Sequence, residues 1–251
     1  MKFNIAIVDR RIPEDMERAL FLRGFRVITL PPSDKLSEPM ASHTDILLLR
    51  LGDNIVTTAE YCERALGELS EIYDYTRVKM HFTSDTHGKT YPDDVIFNTL
   101  VLGKRVYARL GSLSPYAREL AEGAGYTLVD VRQGYPACTV MKLSDEAVIT
   151  ADPGLAELLL RDGIRVYKIE NGYISLPPYE YGFIGGASGV FEGCAYFLGD
   201  MTGHPSYAVI EAACRAEGLT PVMLGRGVPL DLGGILFMQG DIDQNRENRN
   251  K

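Results

Sequence analysis

The chain has 251 residues, 45% of them apolar, 24% charged and 9% aromatic, with 25 Gly and 13 Pro, a balance that excludes disordered, collagen-like and coiled-coil chains. Its 26 Lys and Arg against 34 Asp and Glu leave a net charge of −8, which repels a phosphate backbone or an anionic bilayer and argues against nucleic-acid and membrane partners. No apolar run approaches the roughly 18 residues needed to span a bilayer, and Cys62, Cys138, Cys194 and Cys214 show no C-x-x-C spacing, so a cytoplasmic protein with free thiols is expected.

Met1 to Asp9 reads as a strand rather than a signal peptide. A helix follows from Pro13 to Gly24, then an apolar strand from Phe25 to Leu30. His43-Thr44-Asp45 opens a second extended stretch, Ile46 to Leu49. Next comes a helix from Thr58 to Ile72, whose Tyr61, Cys62, Ala65, Leu66 and Leu69 keep helical spacing. Pro92-Asp93-Asp94 leads into Val95-Ile96-Phe97-Asn98, and a helix from Pro115 to Gly125 precedes Tyr126 to Val131. Cys138 to Leu143 and Ala147 to Ala151 pattern as a hairpin before the helix Pro153 to Gly163 and the strand Ile164 to Ile169. The last such unit ends with Pro205 to Gly218 and Leu219 to Leu224, and Leu232 to Met238 is a final strand with no helix after it.

Four of these helices open at a proline, whose missing N–H costs nothing in the first turn, and close at a glycine. Ser114 and Asp152 stand where an N-cap acceptor is needed. Gly134 to Asp152 and Gly182 to Asp200 match in their framing, and the helix-opening prolines at 115, 153 and 205 lie 38 and 52 residues apart. This is a loose repeat of a strand, strand, helix, strand unit, present five times. Pairing Ile5 to Asp9 with Leu232 to Met238 completes the first unit and closes a ring without open edges. The expectation is an α/β fold of five ββαβ blades in one domain, residues 1–240, with 241–251 as a polar tail. The competing reading, a doubly wound α/β sheet, calls for a cofactor fingerprint. The glycines of Gly182 to Gly189 do not have that spacing, and there is neither a Walker A sequence nor a G-x-S-x-G elbow.

Five units, ring closure and glycine-rich first strands resemble the pentein, or guanidino-group-modifying, β/α propeller over nearly the whole chain. More narrowly, Tyr179 to Gly189, Gly199-Asp200, His204-Pro205 and Pro229 to Gly234 are similar to an uncharacterised bacterial family assigned to that fold. Penteins include arginine deiminases, dimethylarginine hydrolases, amidinotransferases and agmatine deiminases, and also non-catalytic ribosome anti-association proteins, so the fold does not decide the function.

The resemblance implies a Cys nucleophile that attacks a guanidinium carbon, a His acid/base, and carboxylates that hold the cation. Carried onto the matching starts of the first strands, it makes Cys138 the nucleophile and His43 the acid/base. Asp45 and Asp94 become cation holders, Asn98 a substrate-orienting group, and Asp231 a carboxylate from the closing unit. On a strand, His43 and Asp45 share a face at i and i+2. His87 is read as part of a polar pocket wall. No organic cofactor is needed, and the expected partner is a small substrate or ligand, cationic in the guanidino reading.

Pentein enzymes keep their nucleophile in the closing unit, where this chain offers Asp231-Leu232-Gly233-Gly234 and no cysteine. That departure keeps open a second reading, a non-catalytic member that binds a metabolite or protein and uses Cys138 for packing. Cys62 and Cys214 fit the apolar faces of helices, and Cys194 alternates with Tyr196 and Leu198 on a strand. A third reading places a metal on His81, Asp85 and His87, since two imidazoles and a carboxylate suit an open zinc or iron site, although no strong ligand spacing is present.

Overall fold

The structure, a computed structural model, describes residues 2–241; apart from the backbone of Asp241, the expected tail 241–251 lies outside the described residues. Unit one begins with β1 (Lys2–Asp9), α1 (Glu14–Leu22) and β2 (Phe25–Leu30). Unit two contains α2 (Thr44–Leu47), β3 (Leu49–Leu51), β4 (Asn54–Thr58), α3 (Ala59–Arg64), α4 (Leu66–Thr76) and β5 (Lys79–Thr83). Unit three has β6 (Leu100–Leu102), β7 (Arg105–Ala108), α5 (Pro115–Gly123) and β8 (Thr127–Asp130). Unit four has α6 (Pro136–Thr139), β9 (Val140–Lys142), β10 (Ala147–Thr150), α7 (Pro153–Arg161) and β11 (Arg165–Lys168). Unit five has β12 (Ser188–Phe191), β13 (Cys194–Phe197), α8 (Tyr207–Ala216) and β14 (Thr220–Met223), and β15 (Leu236–Asp241) returns to unit one.

Among the described residues these strands form five three-stranded sheets. In each, the middle strand runs antiparallel to the first and, after its helix, parallel to the third. Unit one obeys the rule only because β15 supplies its first strand, pairing Ile5 with Met238 and Ile7 with Leu236. Five apolar clusters each bridge two consecutive sheets. Ile7 packs with Ile55, Val56 with Val106, Tyr107 with Val148, Ile149 with Phe197, and Leu198 with Val8. The sequence of seams returns to its start, which is the ring. At the closing seam the rings of Phe25, Phe191, Tyr196 and Phe237 lie with centroids 4.9–5.6 Å apart, contacts worth about 0.5–1.5 kcal/mol a pair beyond their burial.

The helix punctuation follows the residues. Ser114 and Asp152 accept hydrogen bonds from the amides of Ala117 and Leu155, with Pro115 and Pro153 at the first helical position. Gly24, Gly125, Gly163 and Gly218 follow the helices at φ between +72° and +85°, a conformation that costs glycine nothing. Three expectations change. Pro205 precedes α8 by two residues, after a short 3-10 turn at Met201–Gly203. The helix expected over Thr58 to Ile72 is two helices, broken at Ala65 where φ is −109°. The first strands also begin later than expected: Thr44 to Leu47 and Pro136 to Thr139 are helical turns, and Asp94 to Asn98 is a turn ahead of β6. No helix among the described residues is long and apolar enough to cross a membrane.

Candidate active site

The first strands of all five sheets line one axial cavity of about 400 Å³, with Leu49, Val101, Met141, Gly189 and Leu236 among its walls. Beyond their N-terminal ends, the loops that lead into them interlock across the axis. Asp45 donates its amide to the Gly233 carbonyl, and Gly186 donates to the Cys138 carbonyl. The backbones approach too closely for side chains. A Cβ on Gly185 would lie 2.2–2.6 Å from the carbonyl oxygens of Ala137, Val140 and Cys138, and one on Gly186 would lie 1.9 Å from Asp231 Oδ1. Gly233 combines φ of +71° with a Cβ position 2.6 Å from that of His43. The glycines noticed in the sequence are therefore packing requirements of the hub.

Above this plug lies a second cavity of about 460 Å³, into which Cys138, His43 and Asp231 open together with Tyr91, Tyr135, Tyr179, Tyr181 and Phe183. Cys138 and His43, far apart in sequence, thus share one space. They reach it from helical turns, so the strand-face relation expected for His43 and Asp45 is not how the fold joins them: His43 is the N-cap of α2 and Asp45 lies within it. The turn sends His43 to the upper cavity and Asp45 to the wall of the lower one.

Cys138 donates its thiol to Asp45 Oδ2 at 2.7 Å. Asn98 donates to the sulfur at 3.2 Å, while its own Oδ1 accepts from the Ala137 amide at 2.9 Å. Asn98 thereby fixes the turn that carries the sulfur. Burial and the carboxylates of Asp45 and Asp231 push the Cys138 thiol well above the ordinary cysteine range. Burial likewise raises Asp45 to about 6, against the pull of the His43 charge and the thiol hydrogen bond. At rest, the pair is a protonated thiol on a carboxylate of near-neutral basicity.

His43 is fully buried, which by itself lowers its pKa, but Asp231 and Asp9 outweigh the burial and bring it up to about 9. Nε2 lies 3.4 Å from Asp231 Oδ1 and Nδ1 lies 3.3 Å from Asp9 Oδ2. The Nε2 contact is within ion-pairing reach yet makes no hydrogen bond. Asp231 is steadied by the amides of Phe183 and Gly233 at 2.8 and 3.2 Å. Asp9 is buried, and Arg11 grips both its oxygens; the hydrogen bonds from His43 and Arg11 hold it below the usual carboxylate range despite that burial. Arg11 also lies 3.1 Å from His43 Nδ1.

The remaining candidates sit farther out. Asp94 accepts from the Tyr135 hydroxyl at 2.6 Å and so orients a ring of the cavity without lining it. Burial raises its pKa. His87 does not join the group. It packs edge-on against Phe97, 5.3 Å between centroids, beside a separate groove with Ser33, Thr58 and Glu60, and burial drops its pKa to about 4. The His81, Asp85 and His87 triplet is also dispersed. Both nitrogens of His81 are engaged, with Tyr116 and Asn54 at 2.9 Å, and Asp85 accepts from Ser114. Among the described residues no group of three His, Cys, Asp or Glu is spaced to hold a metal, which corrects the metal reading. Sequence reasoning missed Asp9 and the aromatic wall. Asp9 carries a weak signal, an acid ending an apolar strand before Arg10-Arg11. Tyr179, Tyr181 and Phe183 carry a stronger one, alternate aromatics in a loop rich in Pro and Gly.

No curated protein matches the chain. Among solved structures it is similar to SxtG, an amidinotransferase from Microseira wollei in the saxitoxin biosynthetic pathway, at 12% identity over 88% of both chains, with a TM-score of 0.54. It is similar to a DDAH from Pseudomonas aeruginosa complexed with citrulline, at 14% identity over 94% of this chain and 98% of that one, TM-score 0.55. A dimethylarginine dimethylaminohydrolase adduct with S-methyl-L-thiocitrulline matches at 13% identity over 88% and 92%, TM-score 0.56. These likenesses establish the architecture, the five-bladed pentein propeller whose terminal strands close the ring. A family model covers residues 7–236, so this pentein-fold chain belongs to the family of unknown function DUF6873.

Proposed function

We propose that the chain is a cysteine-dependent hydrolase or transferase of a small guanidino or amidino compound. The observation that carries the reading is the meeting of Cys138, His43 and Asp231 on one cavity, with the thiol seated on Asp45. In this reading Asp231 holds the cation by charge-assisted hydrogen bonds. The incoming positive charge lowers the cost of forming a thiolate in a buried site. As the bond from Sγ to the guanidinium carbon forms, the thiol proton passes to Asp45 Oδ2. The C–N bond then breaks, and the departing amine takes a proton from His43. Water, or an amine acceptor in a transferase, next gives a proton to His43 as it attacks. The C–S bond breaks and the thiolate recovers its proton from Asp45.

Asp45 is thus reassigned from cation holder to proton acceptor, because its Oδ2 accepts the thiol and it does not line the upper cavity. Asn98 positions the nucleophile's turn, and Asp94 positions Tyr135. The burial of Cys138, 2% exposed, and the lack of a cysteine in the closing unit favour a second reading, a ligand-binding member without turnover. Alkylation separates the two. A catalytic Cys138 reacts with 2-chloroacetamidine faster than Cys62, Cys194 and Cys214, and faster than with neutral 2-chloroacetamide. Uniformly slow labelling of all four thiols by both reagents overturns the enzymatic reading.

A further inference from the structure

A polar groove of about 280 Å³ lies apart from the Cys138 cavity, lined by α3 and by the segments that carry Ser33 and His87. Its floor is buried and its rim exposed. On the floor, His87 is 6% exposed, and neither of its ring nitrogens has a hydrogen-bond partner. The backbone of Asp94 is near enough to favour a charged ring, yet burial prevails and drops the pKa to about 4. The imidazole is therefore neutral, with one N–H donor and one bare acceptor. Such a group is rarely left unpaired in an interior, and a ligand that donates to it recovers the cost. Ser33 already accepts from the Lys35 amide and Thr58 from the Tyr61 amide, which leaves His87 as the open group of the floor.

The rim carries both signs of charge. Lys35 Nζ lies 3.0 Å from Glu60 Oε1, and an Arg64 guanidinium nitrogen lies 3.3 Å from Asp34 Oδ2, all about half exposed or more. Exposed pairs of this kind are worth little and open readily. Glu63 adds a third acid. A ligand of one sign separates a pair and leaves one member without a partner, whereas a ligand of both signs gives each member a new one. Glu60 is also the carboxylate whose charge acts on the His87 ring, so an ammonium beside the two meets an anion and a bare nitrogen together. The volume lies just under the usual range of small-molecule pockets and suits a few heavy atoms.

We propose that this groove is a second binding site, for a short zwitterion that carries an ammonium and a carboxylate. The ammonium sits at His87 and Glu60, and Lys35 and Arg64 hold the carboxylate. None of these four residues lines the Cys138 cavity, so the site stands whatever the chemistry there.

The chain has four histidines, and the ring resonances of full-length protein labelled with ¹⁵N-histidine report on each of them, with H87Q assigning His87. Glycine and 4-aminobutyrate are the zwitterionic probes; butylamine and butyrate keep the four-carbon chain with one charge each. At least one zwitterion is expected to shift the His87 nitrogens saturably while His43 stays unmoved. Both singly charged probes should bind more weakly by about tenfold or more, the scale of one lost hydrogen bond to a charged group. E60Q, a substitution on the exposed rim, should weaken the zwitterion by a similar factor. No His87 shift with either zwitterion, an equal response to a singly charged probe, or full affinity in E60Q overturns the assignment. A shift confined to His43 places binding in the Cys138 cavity and overturns it as well. Should H87Q melt early, H43Q, H81Q and H204Q assign His87 by elimination.

Discussion

The turns that lead into β3 and β9 are built alike. Each is a four-residue helix, Thr44–Leu47 or Pro136–Thr139, preceded by an N-cap residue, His43 or Tyr135. Each is tied to the middle strand of its blade by a buried threonine. Thr57 donates to the Leu47 carbonyl at 2.9 Å and Thr150 to that of Thr139 at 3.1 Å. Superposed residue for residue, His43 answers to Tyr135, Asp45 to Ala137 and Ile46 to Cys138. One turn therefore brings an imidazole and a carboxylate, the other a phenol ring and a thiol, and in the proposed mechanism only together do they make a reactive pair. The repeat conserves the backbone device and divides the chemistry between copies.

The sharpest way to break this division is C138A, which should reduce turnover of a guanidine substrate on the order of 10³-fold or more, as loss of a nucleophile does. Adding I46C to it should restore nothing, because the equivalent position in the other turn is packed in apolar surroundings. Mass-spectrometric counting of alkylated sites with steady-state kinetics checks both.

Removing the other half of the pair, D45N should lower turnover roughly 10²–10⁴-fold, the range of general base catalysis. The rate of the parent protein should rise as Asp45 loses its proton at about 6 and fall as His43 loses its own at about 9. D45N deletes the acidic limb and H43Q the basic one. A flat profile in the parent would remove both groups from the mechanism.

D45N has a second, opposite consequence. The folded-state pKa of Asp45 is raised, so the native state penalises its carboxylate; the penalty is absent below the unfolded value of 3.8, grows between, and is complete above about 6. D45N should therefore stabilise the protein at pH 8 by up to about 3 kcal/mol and have little effect near pH 4, by the linkage between pKa and folding. Denaturant melts at the two pH values measure this.

The smallest effects compare the turns directly. T57V and T150V each leave a buried carbonyl without its donor and should cost about 1–3 kcal/mol. T150V should slow alkylation of Cys138 more than T57V does, since it loosens the turn bearing the sulfur.

Much of the architecture was legible in the sequence because proline and glycine act locally. Pro115, Pro153, Gly125 and Gly163 mark helix ends through their own φ preferences, whatever the rest of the chain does. Closure of the ring was legible for another reason: Ile5 to Asp9 and Leu232 to Met238 were each half of a unit, and only one pairing completes both. The turns at His43 and Cys138 were not legible. Runs such as Ile46 to Leu49 are apolar throughout, so period alone does not separate a buried strand from a buried helical turn. Cys138, His43 and Asp231 still meet on one cavity because the hub collects whatever precedes the first strands. Asp45 is displaced from them, since one helical turn points successive side chains to different ends of the axis. His87 lines a different, polar groove with Ser33, Thr58 and Glu60, a separation from the hub that no local pattern records.

The pairing of β1 with β15 bears on how the molecule assembles. On a ribosome, the first blade waits for β15, which emerges after the other four blades, while blades two to five draw only on neighbouring sequence. Joining segments more than two hundred residues apart carries a large chain-closure entropy and belongs late in folding. A nascent chain halted before β15 would present β1 as an unpaired edge beside an incomplete aromatic seam, the kind of surface on which a chaperone or a second copy can settle.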